Sequence, residues 1–308
     1  MTSSVVPRQL VSSPPAPVPH RFGLFSASTL LEGVPPHELN GIEYETVCST
    51  QVDPYPVGLC PADIPAADRE KKPADTVSTA SASPFAIYAA DSCVLGRDEA
   101  EARQQLRQRF LTGEQAAVER TVFNGQMGNT PYLKSADTIT SNAKAAAKNL
   151  PTLVDAIGII EQYLAEHYGG VGVVHAPRTM APTLKAQTVM DIKGGQASTV
   201  GGSAWVFGTG YPGTAPESVT TADDGMLWLY ATPPLTVRRS QVIEPADWTS
   251  GAFDKATNSG FLLEERQYVV DWPCFTVAIK TAEVRPGCTA SATSGDERNT
   301  TSHIKEES

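Results

Sequence analysis

NSGFLLEERQYVVDWPCFTVAIKT, residues 258–281, contains the two strongest strand patterns in the chain. Apolar, β-branched and aromatic residues are dense in 261–271 and again in 275–281, as is typical of strands. Trp272-Pro273 separates the two runs. Because proline cannot donate to a sheet ladder, the break falls there. The stretch predicts two strands that close the folded body.

Toward the N-terminus, residues 151–243 alternate helix and strand patterns. Pro151 stands near the start of a predicted helix with one apolar face, and Gly169-Gly170 ends it. That face consists of Leu153, Ile157, Ile160 and Leu164. A short apolar strand at 171–175 and a weaker helix at 177–190 follow. Further strands are predicted at 204–207, 227–231 and 235–243.

The clearest helix is predicted at 97–122. Leu106, Phe110, Gly113, Ala117 and Thr121 recur at helical spacing, and Arg, Gln and Glu fill the other face. At 1.5 Å per residue this helix would be roughly 40 Å long. Such a helix can span a whole domain.

Strand patterns at 41–51 and 84–93 border about thirty proline-rich residues, and we expect a long hairpin that projects from the body. Residues 1–36 are rich in Ser, Pro and Val and cannot form a core of their own. Arg21–Phe25, Leu30 and Leu31 provide apolar anchors. We therefore expect an extended arm that lies over a neighbouring subunit.

The composition narrows the function classes. Of 308 residues, 41% are hydrophobic, which is ample for a core, and the net charge is −10. An acidic surface repels phosphate, so sequence-specific nucleic-acid recognition is not expected. The first 20 residues lack the pattern of a signal peptide, and no apolar run reaches the roughly 18 residues of a membrane span. We expect a protein that stays inside the cell that makes it.

Five irregularly spaced cysteines argue against a disulfide scaffold and a structural zinc site, and fit a reducing cytoplasm. They are Cys48, Cys60, Cys93, Cys274 and Cys288.

A search for an active site finds no converging pattern. His175 ends a buried-looking strand, where a structural role is favoured over that of a base. Gly201-Gly202-Ser203-Ala204 lacks the glycine of a nucleophile elbow. Gly194-Gly195 and Gly208-Thr209-Gly210 do not match a phosphate loop, and turns explain them better. We predict no enzyme activity, no catalytic residue, no cofactor and no metal.

In order along the chain, these features resemble the major capsid proteins of tailed bacteriophages, which have the Hong Kong 97-type fold. The sharpest match is Asn258 followed by FLLEERQYVV, Trp272-Pro273 and Phe275. A second is FNGQMGNTP at 123–131, similar to the family's turn after its spine helix, and a third is 171–184. The resemblance covers about residues 20–283 and is closest to capsid proteins of actinobacterial siphophages.

The resemblance implies an α+β fold with five parts. They are an N-terminal arm at 1–40, an extended β-hairpin loop at 41–93, a peripheral domain with the spine helix at 94–135 and 244–284, an axial domain at 136–243, and a C-terminal tail at 285–308. No large scaffolding segment precedes the arm, so a separate scaffolding protein, or none, is expected.

The implied function is a shell subunit. It would self-assemble through hexamers and pentamers into an icosahedral virion capsid, in the host cytoplasm, around double-stranded DNA that it does not recognise by sequence. Portal, scaffolding and decoration proteins would be further partners, and no membrane is involved.

In some relatives, neighbouring subunits are covalently cross-linked by an isopeptide bond between a loop lysine and an asparagine. A buried glutamate accepts the proton in that reaction. The matching positions are Lys71 and Lys72, Asn258 and Glu264, although the spacing from Asn258 to Glu264 is one residue short. Alternatively, the lysines are solvated, Asn258 caps a turn, and Glu264 pairs with an arginine such as Arg266.

Three other classes stay open. An encapsulin-like nanocompartment would share the fold but hold protein cargo. A soluble α/β enzyme would need a polar pocket around His175 and residues 208–225. A tail-tube or adaptor protein would usually lack the long helix.

Overall fold

The computed structural model describes residues 20–48, 50, 52, 77–94, 99–139, 150–244, 253–254 and 259–287. Its helices are α1 Leu24–Ala27, α2 Glu99–Asn124, α3 Leu153–His167 and α4 Ala181–Ala186, with short 3₁₀ turns at Glu38–Asn40, Leu133–Ser135 and Arg178–Met180. Its strands are β1 Thr29–Glu32, β2 Ile42–Val47, β3 Val77–Ala82, β4 Phe85–Val94, β5 Asp137–Thr138, β6 Val173–Pro177, β7 Asp191–Lys193, β8 Gln196–Ser198, β9 Ala204–Gly208, β10 Met226–Thr232, β11 Thr236–Arg239, β12 Phe253–Asp254, β13 Ser259–Asp271 and β14 Val277–Val284.

The long helix predicted at 97–122 is confirmed as α2. Its buried side follows a four-residue spacing through Ala102, Leu106, Phe110 and Val118. Gly113, which the sequence analysis placed on the apolar face, is exposed. The N-terminal half of α2 lies on a five-stranded sheet, where Ala102 and Leu106 pack against Leu262.

The five-stranded sheet is organised around β13. Strand β13 pairs antiparallel with β4, β11 and β12, and β11 pairs in parallel with β1. Every second residue of β13 from Leu262 to Tyr268 is buried, whereas Phe261 and Gln267 are exposed. One face of this sheet therefore packs on α2, and the other is partly open between Phe261 and Gln267.

A seven-stranded sheet has the order β5-β14-β10-β6-β9-β8-β7. Helix α3 begins at the cap Thr152, whose hydroxyl accepts a hydrogen bond from the Asp155 N–H at 3.2 Å. Its predicted apolar face is confirmed and packs on this sheet, with Leu153, Ile157, Ile160 and Leu164 all buried.

A second core lies between the two sheets and the C-terminal half of α2. It joins Phe123 of α2, Tyr230 of β10 and Tyr268 of β13. The Phe123 and Tyr230 rings meet edge to face, with centroids 5.3 Å apart. This core joins the two sheets into one body.

Three expectations about strand partners and the arm need correction. The hairpin partner of β2 is β3, residues 77–82, whereas the strand predicted at 84–93 pairs with β13. The two closing strands, β13 and β14, lie in different sheets, because the turn at 272–276 directs the chain from one sheet to the other. Leu24 and β1, expected to anchor on a neighbouring subunit, lie within the body of their own chain.

The expectation from cysteine spacing is also wrong, because Cys48 and Cys274 form a disulfide. They are 226 residues apart, so only the tertiary fold brings them together.

Candidate functional site

Of the four residues predicted for a cross-link, the structure describes only Glu264. Lys71, Lys72 and Asn258 lie outside the described residues. Glu264 is in β13, opposite Ala89 of β4, on the side of the sheet that faces α2. It is only 3% exposed, and its Oε2 atom has no hydrogen-bond partner.

The surroundings of Glu264 favour its protonated form. Burial raises the pKa of its carboxyl, and the nearby Glu244 carboxylate adds to this, whereas Arg107 lowers the pKa. Arg107 forms an ion pair with Glu244, so the positive charge of Arg107 is partly neutralised by that carboxylate. A buried carboxyl with a raised pKa is a competent proton acceptor for chemistry near neutral pH. The alternative pairing with Arg266 is not observed, because Arg266 binds Glu114 instead.

Glu114 is the centre of a buried ion-pair network that links α2 to the five-stranded sheet. Its Oε1 accepts from Arg239 Nη1 at 2.8 Å and from Arg266 Nη1 at 2.5 Å, and it also accepts from the Tyr268 hydroxyl. Arg239 reaches outward to Glu32 as well. The network therefore connects α2, β1, β11 and β13.

Glu119, one turn further along α2, is fully buried and holds two distant loops. It accepts backbone N–H bonds from Leu24 at 3.1 Å, Thr209 at 2.7 Å and Gly210 at 3.4 Å. Burial raises the pKa of Glu119, and these three hydrogen bonds oppose the rise. The amides of Thr209 and Gly210 are thus directed at a carboxylate of the same chain. Residues 209–210 form a turn directly after β9, as the sequence predicted.

The strand β2 is fastened to the body near its far end. Asp271 accepts a hydrogen bond from the Tyr44 hydroxyl and also pairs with Arg238. Cys48 is joined to Cys274, and the Thr50 hydroxyl donates to the backbone carbonyl of α3 at Glu166. We refer to Tyr44, Cys48 and Thr50 with their partners as the hairpin base.

His175 is buried in β6, only 1% exposed. Its Nε2 is 3.2 Å from the Thr232 hydroxyl, and its ring packs edge to face on Tyr211. Burial lowers the pKa of His175 to about 3, so the ring is neutral at physiological pH. This geometry supports the structural role favoured by the sequence.

Gly194 and Gly195 both have positive φ and form the turn between β7 and β8, as predicted. Among the described residues, no three His, Cys, Asp or Glu side chains are arranged to hold a metal ion. Within the same ranges, no helix is long and apolar enough to cross a membrane.

The roles of Glu114, Glu119 and the Cys48–Cys274 pair were not predicted from the sequence. Glu114 had a usable signal, because it stands four residues from both Phe110 and Val118 on the buried stripe of α2. Glu119 and the disulfide depend on contacts at long range, and no local pattern marks them.

Comparison with known proteins places this arrangement in a known fold. No family model matches the sequence, and no curated protein matches it either. Among solved structures, the capsid of an empty GTA particle matches 92% of this chain and 100% of its own, with 12% identity and a TM-score of 0.57. A chain of Mycobacterium phage Cain matches with 8% identity and a TM-score of 0.52, covering 90% of this chain and 95% of its own. A chain of Microbacterium phage Oxtober96 matches with 13% identity and a TM-score of 0.51, covering 89% and 95%.

These likenesses define the class of fold. The chain has a mixed helix and strand fold that it shares with phage capsid structures over about nine tenths of its length. More particularly, the α+β capsid fold predicted from residues 258–275, 123–131 and 171–184 is confirmed at the level of the fold.

Proposed function

We propose that this chain is the major capsid protein of a tailed bacteriophage, which self-assembles through hexamers and pentamers into an icosahedral shell around double-stranded DNA. The observation that carries the proposal is the match to the capsid of a GTA particle over 92% of the chain.

The open face of the five-stranded sheet supports an assembling subunit. Tyr88 of β4 is 71% exposed and Phe261 of β13 is 52% exposed. Residues 88 and 261 project from the same face, because Tyr88 is opposite Glu265 and side chains alternate along β13. Large apolar side chains grouped on one face are typical of protein interaction surfaces. We propose that neighbouring subunits cover this face.

Within the subunit, we propose that the segment before α1 is the arm, that the segment joining β2 to β3 forms the hairpin loop, and that 285–308 is a tail. In this proposal, α2 with the five-stranded sheet is the peripheral domain, and α3 with the seven-stranded sheet is the axial domain. The hairpin would lie across an adjacent subunit. The net charge of −10 favours a shell that contains DNA without binding its sequence. Assembly in the host cytoplasm, and portal, scaffolding and decoration partners, belong to the same proposal.

Negative-stain electron microscopy of the expressed full-length chain tests the assembly. We expect shells or capsomer rings, and particles from infected cells should contain nuclease-protected DNA. Particles that hold protein cargo without DNA would indicate an encapsulin-like compartment. A monomeric sedimentation profile at all concentrations would contradict the proposal.

We further propose that Glu264 accepts the proton in an isopeptide cross-link. The Lys71 or Lys72 amine would attack the Asn258 side-chain carbonyl of a neighbour, form an amide and release ammonia. The buried carboxyl of Glu264 and its raised pKa support this role. The predicted sign is a ladder of multimers from mature particles on denaturing gels.

Matched variants distinguish the cross-link from ordinary packing. Glu264→Gln preserves the size of the side chain but cannot take the proton, so the ladder should disappear while shells persist. Glu283→Gln in β14, a strand of the other sheet, is the control and should keep the ladder. A monomer band alone, near 32.7 kDa, from wild-type particles would end the cross-link proposal.

A further inference from the structure

The hairpin base contains a reducible covalent bond, the Cys48–Cys274 disulfide. Cys48 follows the last residue of β2, and Cys274 is in the turn that joins β13 to β14. The disulfide therefore links the predicted extended loop to the point where the chain passes between its two sheets. It is the covalent link in a contact otherwise made by hydrogen bonds.

The body holds Cys274 in a defined direction. Its φ of 69° is in the left-handed region, which is unfavourable for a residue with a Cβ, so the surrounding turn must hold it there. The Phe275 N–H donates to the Pro273 carbonyl at 2.9 Å, and the Trp272 indole donates to the Thr276 hydroxyl at 2.9 Å. The sulfur of Cys274 is therefore held in a fixed position for Cys48, which follows β2.

The other end of the hairpin joins the body through its backbone. Its strands leave the body at Gly41, with a φ of 112°, and at Ser83, whose N–H donates to the Thr130 carbonyl at 2.8 Å. A cavity of about 330 Å³ separates the hairpin from the body, and Cys48, Cys274, Ser78 and Asp137 line it. Without the disulfide, the Tyr44–Asp271 and Thr50–Glu166 hydrogen bonds would still connect the far end of β2 to the body.

We propose that Cys48 and Cys274 form a redox clasp that closes after the subunit leaves a reducing cytoplasm and fixes the hairpin on its own body. The inference rests on the proposed capsid function, because a released particle passes from reducing to oxidising surroundings. With the clasp open, the hairpin can pivot at Gly41 and Ser83 during assembly. With the clasp closed, its base is fixed.

The oxidant is a small-molecule disulfide. The thiolate of one cysteine attacks a sulfur of that molecule, forms a mixed disulfide and releases one thiol. The second thiolate then attacks the protein sulfur of the mixed disulfide and releases the other thiol. The two cysteines lose two electrons and two protons in total, and one small-molecule disulfide becomes two thiols. The cavity gives such a molecule access to both cysteines.

The test compares purified full-length protein equilibrated with dithiothreitol and with oxidised glutathione. After oxidation, alkylation and peptide mass spectrometry should find Cys48 linked to Cys274, with Cys288 still alkylated. Hydrogen exchange in β2 and β3 should be on the order of tenfold faster in the reduced protein. The Cys48→Ser/Cys274→Ser double variant should exchange like reduced wild type in both buffers, whereas the control Cys288→Ser should respond as wild type does.

The outcomes separate the clasp from the capsid proposal. If Cys48 and Cys274 remain open to alkylation after oxidation, or exchange in β2 and β3 is unchanged, the clasp is refuted even when shells form. If exchange responds as predicted but no particle ever forms, the clasp stands and the capsid proposal fails. Where shells form, oxidised particles should dissociate at a higher urea concentration than reduced ones, and equal concentrations would overturn the role in the shell.

Discussion

Removing the Glu114 carboxylate should be among the most destabilising single changes in this chain. Glu114 is nearly inaccessible, and its Oε1 is the shared acceptor for Arg239, Arg266 and Tyr268. In Glu114→Ala, Arg239 keeps its pairing with Glu32. Arg266 loses its carboxylate partner and becomes a buried cation without compensation. Breaking a buried pair in this way typically costs about 3–5 kcal/mol.

Urea unfolding measures this loss. With a slope of about 3 kcal/mol per molar urea, a loss of about 3–5 kcal/mol lowers the unfolding midpoint by about 1–1.7 M. Gln105→Ala on the same helix is the control. Gln105 is partly exposed and its side chain bonds along the helix to Glu101, so the change should be within about 0.5 kcal/mol.

A double variant tests the cause of the loss. Glu114→Leu alone leaves Arg266 charged and buried, whereas Glu114→Leu with Arg266→Met removes both charges. The double variant should therefore be more stable than the single variant, because the uncompensated charge is gone. If Glu114→Ala unfolds with the same midpoint as Gln105→Ala, or the double variant is the less stable, the electrostatic reasoning is refuted.

Three further changes test other parts of the structure. Phe110→Asp should prevent folding, because it places an unpaired charge in the core beneath β13. The variant should lose the native circular dichroism spectrum, and a native spectrum would contradict the packing of Phe110. Removing residues 1–19 leaves the buried Leu24 in place, so the free subunit should be as stable as wild type in urea. The yield of particles should nevertheless fall. An unchanged yield would contradict the proposed role of the arm in assembly. His175 has a pKa of about 3 in the fold, against an ordinary value of 6.5, so between these values the unfolded chain binds a proton that the folded chain does not. The free energy of unfolding should therefore fall as the pH drops through this window. Urea midpoints at pH 5 and pH 7 measure this slope, and His175→Gln should flatten it.

The sequence predicted those parts of the fold that depend on local periodicity. Helix α3 has all four predicted residues on its buried face, and α2 begins and ends within two residues of its predicted limits. Pairing between distant segments could not be predicted in this way. The alternation in 84–93 fits a hairpin strand as well as it fits the actual partner of β13, because periodicity specifies a face and not a neighbour.

The candidate site shows the same limit. Glu264 was predicted from a motif, and its burial against α2 agrees with the predicted role, whereas the residues expected to react with it lie outside the described residues. Glu119 was not predicted, because its task is to hold Leu24 and Thr209, which are about ninety residues away on either side. A carboxylate surrounded in sequence by Ala, Val and Arg gives no local sign that distant amides surround it.

The parallel pairing of β1 with β11 has a consequence for how the chain is made. The ion pair between Glu32 and Arg239 joins residues 207 positions apart, and β13 must lie beside β11 before the sheet is complete. During synthesis at about 5–20 residues per second, the N-terminal segment therefore waits many seconds for its partner strands to emerge. A truncated polypeptide that stops before residue 259 lacks β13, the strand around which this sheet is organised. Incomplete chains should consequently lack the open sheet face. We therefore expect only full-length subunits to assemble.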